Sequence, residues 1–120
     1  MEAVVRNIPV NLQGYKLMVT ESPALKMREN DNGVEEVVTD RSGVQHFVVS
    51  LFAKKRPQEG QFAEKGEEIK VTLTADPGDG FEEGTYVQLI DATVSPWQTE
   101  RNGRYASGLA YRAAGVTPLV

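Results

Sequence analysis

The sequence predicts an all-β protein, a small antiparallel barrel of five or six strands with little or no helix. Three observations carry this. Apolar residues recur with a period of two along most of the 120-residue chain, the spacing that buries one face of a strand and wets the other. Gly, Pro, Asn and Asp punctuate these runs in the combinations that make tight turns. No apolar pattern at helical spacing runs past about two turns. Closing the sheet removes its exposed edges, so a barrel is expected rather than an open sheet.

One domain takes in residues 1–120, with 1–13 read as an extended N-terminal arm. "YKLMVTES" puts Tyr15, Leu17 and Val19 on one face of a long first strand, in which Pro23 marks an edge, a bulge or a bend. "VEEVVTD" is a short strand, and "TDRSGV", with Asp40, Ser42 and Gly43, a tight hairpin. "VQHFVVSLFA" sets Phe47, Val49 and Leu51 against Val44, His46, Val48, Ser50 and Phe52. Both faces are partly apolar, as in a central strand. Pro57, Gly60 and Gly66 break the next stretch, leaving room for one short turn around residues 62–65. "EIKVTLTAD" alternates Ile69, Val71 and Leu73 inward with Lys70, Thr72 and Thr74 outward, and "ADPGDGFEEG" is a broad turn. "GTYVQLIDATV" is again β-prone. Asn102-Gly103 signals a hairpin, and "RYASGLAYRA" after it alternates Tyr105, Ser107, Leu109 and Tyr111 with small residues and Arg112.

Composition narrows the function. The chain has no cysteine, which excludes disulfides and thiolate metal sites. Its start lacks a basic segment followed by a long apolar one, and no apolar run approaches the roughly 20 residues that span a bilayer. The expected setting is cytoplasmic, with no membrane contact. The net charge of −4 is unevenly placed. Residues 1–56 carry 8 basic and 7 acidic side chains, residues 57–100 carry 2 and 10, and residues 101–120 carry 3 and none. A basic surface can therefore form from the two ends of an acidic chain.

No catalytic set is visible, so the chain does not read as an enzyme. His46 sits alone in an apolar strand, with no Cys and no nucleophile elbow to serve. Glu35-Glu36, Glu67-Glu68 and Glu82-Glu83 are adjacent, and neighbours in a strand point to opposite faces. The segment from Asp76 to Gly84 lacks the ligand spacing of a calcium loop, and the glycine-rich pieces join strand to strand, unlike a phosphate loop. No cofactor and no metal site is expected.

What remains is a binding surface. Lys54, Lys55 and Arg56 end the best strand, Lys26 and Arg28 lie in "LKMRE", and Trp97, Arg101, Arg104 and Tyr105 surround a hairpin tip. Cations neutralise phosphates and aromatic rings are platforms for unstacked bases, the pairing of types that single-stranded nucleic acid requires. Each feature has a plainer reading beside it. Trp97 is also placed to plug the open end of a barrel, Lys54 to Arg56 to form a solvated strand end, and at least one of Tyr105 and Tyr111 to enter the core.

In strand order the second half resembles a single-stranded-DNA-binding protein of the OB-fold type, most like the small gene-five-type proteins of filamentous phages and their relatives on plasmids and integrative elements. The likeness lies in "IKVTLTAD", a Gly-containing acidic turn, "GTYVQLIDATVSPW", a glycine-bearing loop and "GLAYRAAGVTPL". It covers residues 44–120 in pattern. It implies an OB-like barrel, a loop aromatic at Trp97 or Tyr105 that stacks on bases, Arg112 as a last-strand base, and a homodimer. Lys54 to Arg56 have no counterpart in that pattern, and the acidic block departs from it.

The reading that follows is non-catalytic, sequence-tolerant binding of single-stranded DNA, or of RNA, in replication or transfer of a phage, plasmid or integrative element. The binding set is Trp97, Arg101, Arg104, Tyr105, Arg112, Lys54, Lys55, Arg56, Lys26 and Arg28. The other reading is a protein-interaction module whose acidic 57–100 block docks a basic partner such as a replication or conjugation protein.

Overall fold

The computed structural model describes residues 5–57, 60 and 65–119, so the short turn expected at 62–65 lies, but for Lys65, outside the described residues. The described residues form strands and no helix: β1 (Ile8–Pro9), β2 (Tyr15–Leu25), β3 (Met27–Glu29), β4 (Glu35–Val37), β5 (Phe47–Lys55), β6 (Glu67–Leu73), β7 (Tyr86–Ile90), β8 (Thr93–Arg101), β9 (Arg104–Ala113) and β10 (Gly115–Pro118). The all-β class is the one the period of two predicts. No helix long and apolar enough to cross a membrane is present among them.

Strand number and sense differ from the expected five or six antiparallel strands. Eight strands form one mixed sheet in the order β1-β8-β9-β6-β5-β2-β7-β10, while β3 and β4 make a separate hairpin. β6 and β9 run parallel, with Thr72 beside Arg112. The count rises because two long runs are each broken once, β3 is set off from β2 at Lys26, and the N-terminal arm contributes β1. Asp91, held at a left-handed φ of 52°, and Ala92 separate β7 from β8, and Ala114 separates β9 from β10. Each half still alternates with period two, so the pattern alone does not reveal the break.

The core is built from the inward face of this alternation. Leu17 and Val19 of β2, Val49 and Leu51 of β5, Val71 and Leu73 of β6, Val87 of β7, Ala113 of β9 and Val116 of β10 form one buried cluster. Phe81, from the long turn between β6 and β7, joins it with 7% of its surface exposed.

β2 is irregular where Pro23 removes a backbone donor, with register shifts between Val19 and Glu21 and between Glu21 and Ala24. β2 still pairs with β5 at Ala24↔Val48 and Leu25↔Phe47 before the chain leaves the main sheet for the β3–β4 hairpin. Backbone bonds from Lys26 N to His46 O, from Val38 N to Lys26 O and from His46 N to Val38 O tie that hairpin to the start of β5. Lys26 therefore stands at its root, and His46 is buried beside it.

β8 and β9 pair continuously from Thr93↔Arg112 to Arg101↔Arg104. β1 meets β8 at Val94 and Thr93, and β6 meets β9 at residues 111–113. Beyond these contacts, among the described residues, 95–110 pair only with each other, a ribbon about 24 Å long at roughly 3.4 Å per residue. Asn102 and Gly103 turn it at φ 53° and 78°, the two positive values of a type I′ turn, whose twist matches that of the strands. The radius of gyration, 16.0 Å, exceeds the approximately 13.6 Å of a compact chain of this length, as a standing ribbon requires.

Candidate nucleic-acid interface

Register sorts the ribbon's side chains, because directly opposed residues share a face. Thr93/Arg112, Ser95/Ala110, Trp97/Gly108, Thr99/Ala106 and Arg101/Arg104 lie on one face, and Val94/Tyr111, Pro96/Leu109, Gln98/Ser107 and Glu100/Tyr105 on the other. Trp97, Arg101, Arg104 and Arg112 are thus brought together. Tyr105 is separated from Trp97, on the opposite face beside Glu100 and 69% exposed, although it borders a hollow at the ribbon tip with Arg101 and Arg104. Tyr111, of the same face, packs against the core cluster.

Trp97 is 45% exposed and is not a barrel plug; the aromatic buried from a turn is Phe81. The indole lies against the backbone of Gly108. A Cβ built on Gly108 would fall 2.8 Å from Cζ2, 2.9 Å from Cε2 and 3.0 Å from Nε1 of the ring. The residues around it on that face are Ser95, Ala110, Thr99 and Ala106, so a low floor surrounds one raised ring.

At the root of the ribbon an open groove of about 960 Å³ runs between Lys26 at the β2–β3 link, Thr72 of β6 and the β8–β9 ribbon, with Arg6, Lys26, Thr72, Trp97 and Arg112 in its lining. Lys26 Nζ donates to Thr72 Oγ1 at 2.8 Å. Thr72 neighbours Arg112 through the parallel register, which sets the lysine and the arginine against the same wall. Burial, and secondly the positive charge of Arg112, hold the Lys26 pKa below the usual lysine value. Asn7 N donates to Ser95 Oγ at 2.8 Å, which ties the N-terminal segment to β8 and delivers Arg6 to the groove. The groove's described lining holds no Asp or Glu. Like charges gathered in a partly desolvated wall raise each other's energy, and an anion between them removes the cost.

The remaining predicted cations are elsewhere. Val48 faces Thr72 across β5–β6, and Lys54 lies six residues further along β5, about 20 Å away. Lys55 pairs with Tyr15. Arg56 donates its Nε to Gln13 O at 3.2 Å and so fastens a turn at a second hollow. Arg28 pairs with Glu36 at 3.3 Å on the exposed β3–β4 hairpin, an ion pair of the kind that contributes little. The acidic block is also dispersed. Glu67 and Glu68 lie on β6, Asp76, Asp79, Glu82 and Glu83 in the turn after it, Asp91 at the strand break and Glu100 on the ribbon.

Arg6, Thr72 and Gly108 were not singled out from sequence. Only Gly108 had a signal, since a glycine inside a strand often marks close approach of another group. The chain matches no protein-family model, and no curated protein and no solved structure is significantly similar to it.

Proposed function

We propose that this protein binds single-stranded nucleic acid without sequence selection and without catalysis. One observation carries the reading. A half-exposed indole, held against a glycine, shares a face and a groove with Arg112, and the described lining supplies cations but no carboxylate. A base stacks on Trp97 while Arg6, Lys26 and Arg112 neutralise the adjoining phosphates.

An OB-like barrel is the finer form of the fold. It is supported by the run of pairings β2–β5–β6–β9, together with β10–β7–β2, because β9 and β10 are one chain joined through Ala114. In that architecture the groove falls between two loops and a strand face that bind oligonucleotides in OB folds. A role in replication or transfer of a mobile element, and a homodimer, rest on the resemblance alone.

Trp97 emission, titrated with dT16 and with rU16 at low and at high salt, tests the reading. Quenching that reverses with salt is expected, and a preference between the two oligonucleotides identifies the natural strand. A flat signal with no binding by either polymer would sink it. Glu82→Gln with Glu83→Gln leaves that binding intact, whereas a protein-docking module would lose its partner.

A further inference from the structure

We infer that the bound strand runs lengthwise along the basic face of the β8–β9 ribbon, from a root subsite at Lys26 and Arg112, over Trp97, to a tip subsite at Arg101 and Arg104. This rests on the function proposed above and adds the path and length of its ligand.

Spacing is the first argument. Arg112 lies four residues from Gly108, and Trp97 four residues from Arg101, so the ring sits midway between two cation pairs, about 13 Å from each. A strand crossing the ribbon at right angles would meet the indole and then leave the protein, because two paired strands are only about 10 Å across. Only a lengthwise path meets all three subsites.

Surface relief is the second. Ser95, Ala110, Thr99 and Ala106 leave nothing tall between the root and the tip on this face. The reverse face carries Glu100 with the exposed Leu109 and Tyr105, a surface that disfavours a polyanion.

The path has an end on the body of the protein. Lys70, two residues before Thr72 on β6, extends the positive face by one step. Past it come Glu21, which opposes Ser50 on β5 across from Lys70, and Glu68, which opposes Phe52. These carboxylates stop the track. Lys70, Lys26, Arg112, Trp97 and the tip arginines then define a site whose full occupancy requires an oligonucleotide longer than the shortest of the roughly 4–16 nucleotide range of known OB sites.

The test is a ladder of oligothymidylates from dT4 to dT16, binding measured on the wild-type protein and on Arg101→Ala/Arg104→Ala. Both arginines are exposed at a turn, so the variant keeps the fold. For the shortest oligonucleotide that quenches Trp97, wild type and variant are expected to bind alike. For dT16 the variant loses about tenfold in affinity, and its salt slope falls by about 1.4, two cations at roughly 0.7 each. An equal loss at every length, or no loss at any, overturns the lengthwise path while leaving single-strand binding in place. Failure of the wild-type protein to bind dT16 overturns the proposed function itself.

Discussion

Gly108→Val separates the function of the ribbon from its stability. A Cβ at 108 falls 2.8–3.0 Å from three ring atoms of Trp97, whereas carbon atoms pack at about 3.5–4.0 Å. The indole must therefore retreat by about 1 Å for the Cβ alone, and further for the two methyl groups. It retreats easily, since the ring is already half exposed and no other strand among the described residues lies beside 95–110. The backbone at Gly108 is ordinary strand, where a β-branched residue is favoured over glycine by roughly 0.5–1 kcal/mol. Thermal stability should hold or rise. Binding should fall by the stacking contribution, about 1–3 kcal/mol, or about 5- to 160-fold in Kd. The salt slope should not change, because no cation is removed. Anisotropy of a labelled dT16, read beside thermal melts, measures both effects. Trp97→Ala should cost the same affinity, and the double variant only a few tenths of a kcal/mol more, since both changes remove one interaction. Wild-type affinity in Gly108→Val would show that no base rests on this ring. A lowered melting temperature would show that the indole–glycine contact holds the ribbon together instead.

Lys26 sets a pH dependence. Its depressed pKa means that the free protein loses this charge below the usual 10.5, whereas a bound phosphate favours the charged form. Affinity for dA16, whose bases do not ionise in this window, should fall as pH rises through the lowered value toward 10.5, and Lys26→Arg should remain flat over that range, because arginine does not titrate there. In the same window the folded state binds fewer protons than the unfolded one, so wild-type stability should gain from Lys26 as pH rises, and parallel losses in both proteins would remove Lys26 from the site. Phe81→Ala should cost about 3–5 kcal/mol in denaturant unfolding as a buried aromatic truncation, against less than about 1 kcal/mol for the surface Trp97→Ala. A reversal of that order would return Trp97 to the core.

Much of the fold was legible. The faces assigned to "VQHFVVSLFA" and "EIKVTLTAD" are those found, with Val49, Leu51, Val71 and Leu73 in the core. Pro23 sits at one of the register shifts of β2, and Asn102-Gly103 turns the hairpin. The parallel β6–β9 pairing was not legible, because alternation reports which face is buried and carries no information about the neighbour or its direction. Phe81 was also missed as a core residue, since it lies in a Gly/Pro/Asp turn without period.

The candidate site was legible in its residue types and only partly in its membership. Trp97, Arg101, Arg104, Arg112 and Lys26 were named from sequence and do converge on one face or groove. Tyr105 separates from Trp97 through parity: with the turn at Asn102-Gly103, position 105 opposes 100 while 97 opposes 108. Lys54 to Arg56 looked like a cluster because three cations adjoin in sequence, yet consecutive strand residues diverge and Arg56 is engaged by Gln13.

The sequence by itself determined the all-β class, the inward and outward residues of each strand and the turn that makes the ribbon, since these depend on local periodicity and on φ preferences. Tertiary structure decided that Lys26, 86 residues before Arg112, shares a wall with it, that Arg6 reaches the same groove, and that Gly108 lies under Trp97. Those placements come from strand order and register across the sheet, which are set by the packing of the whole core.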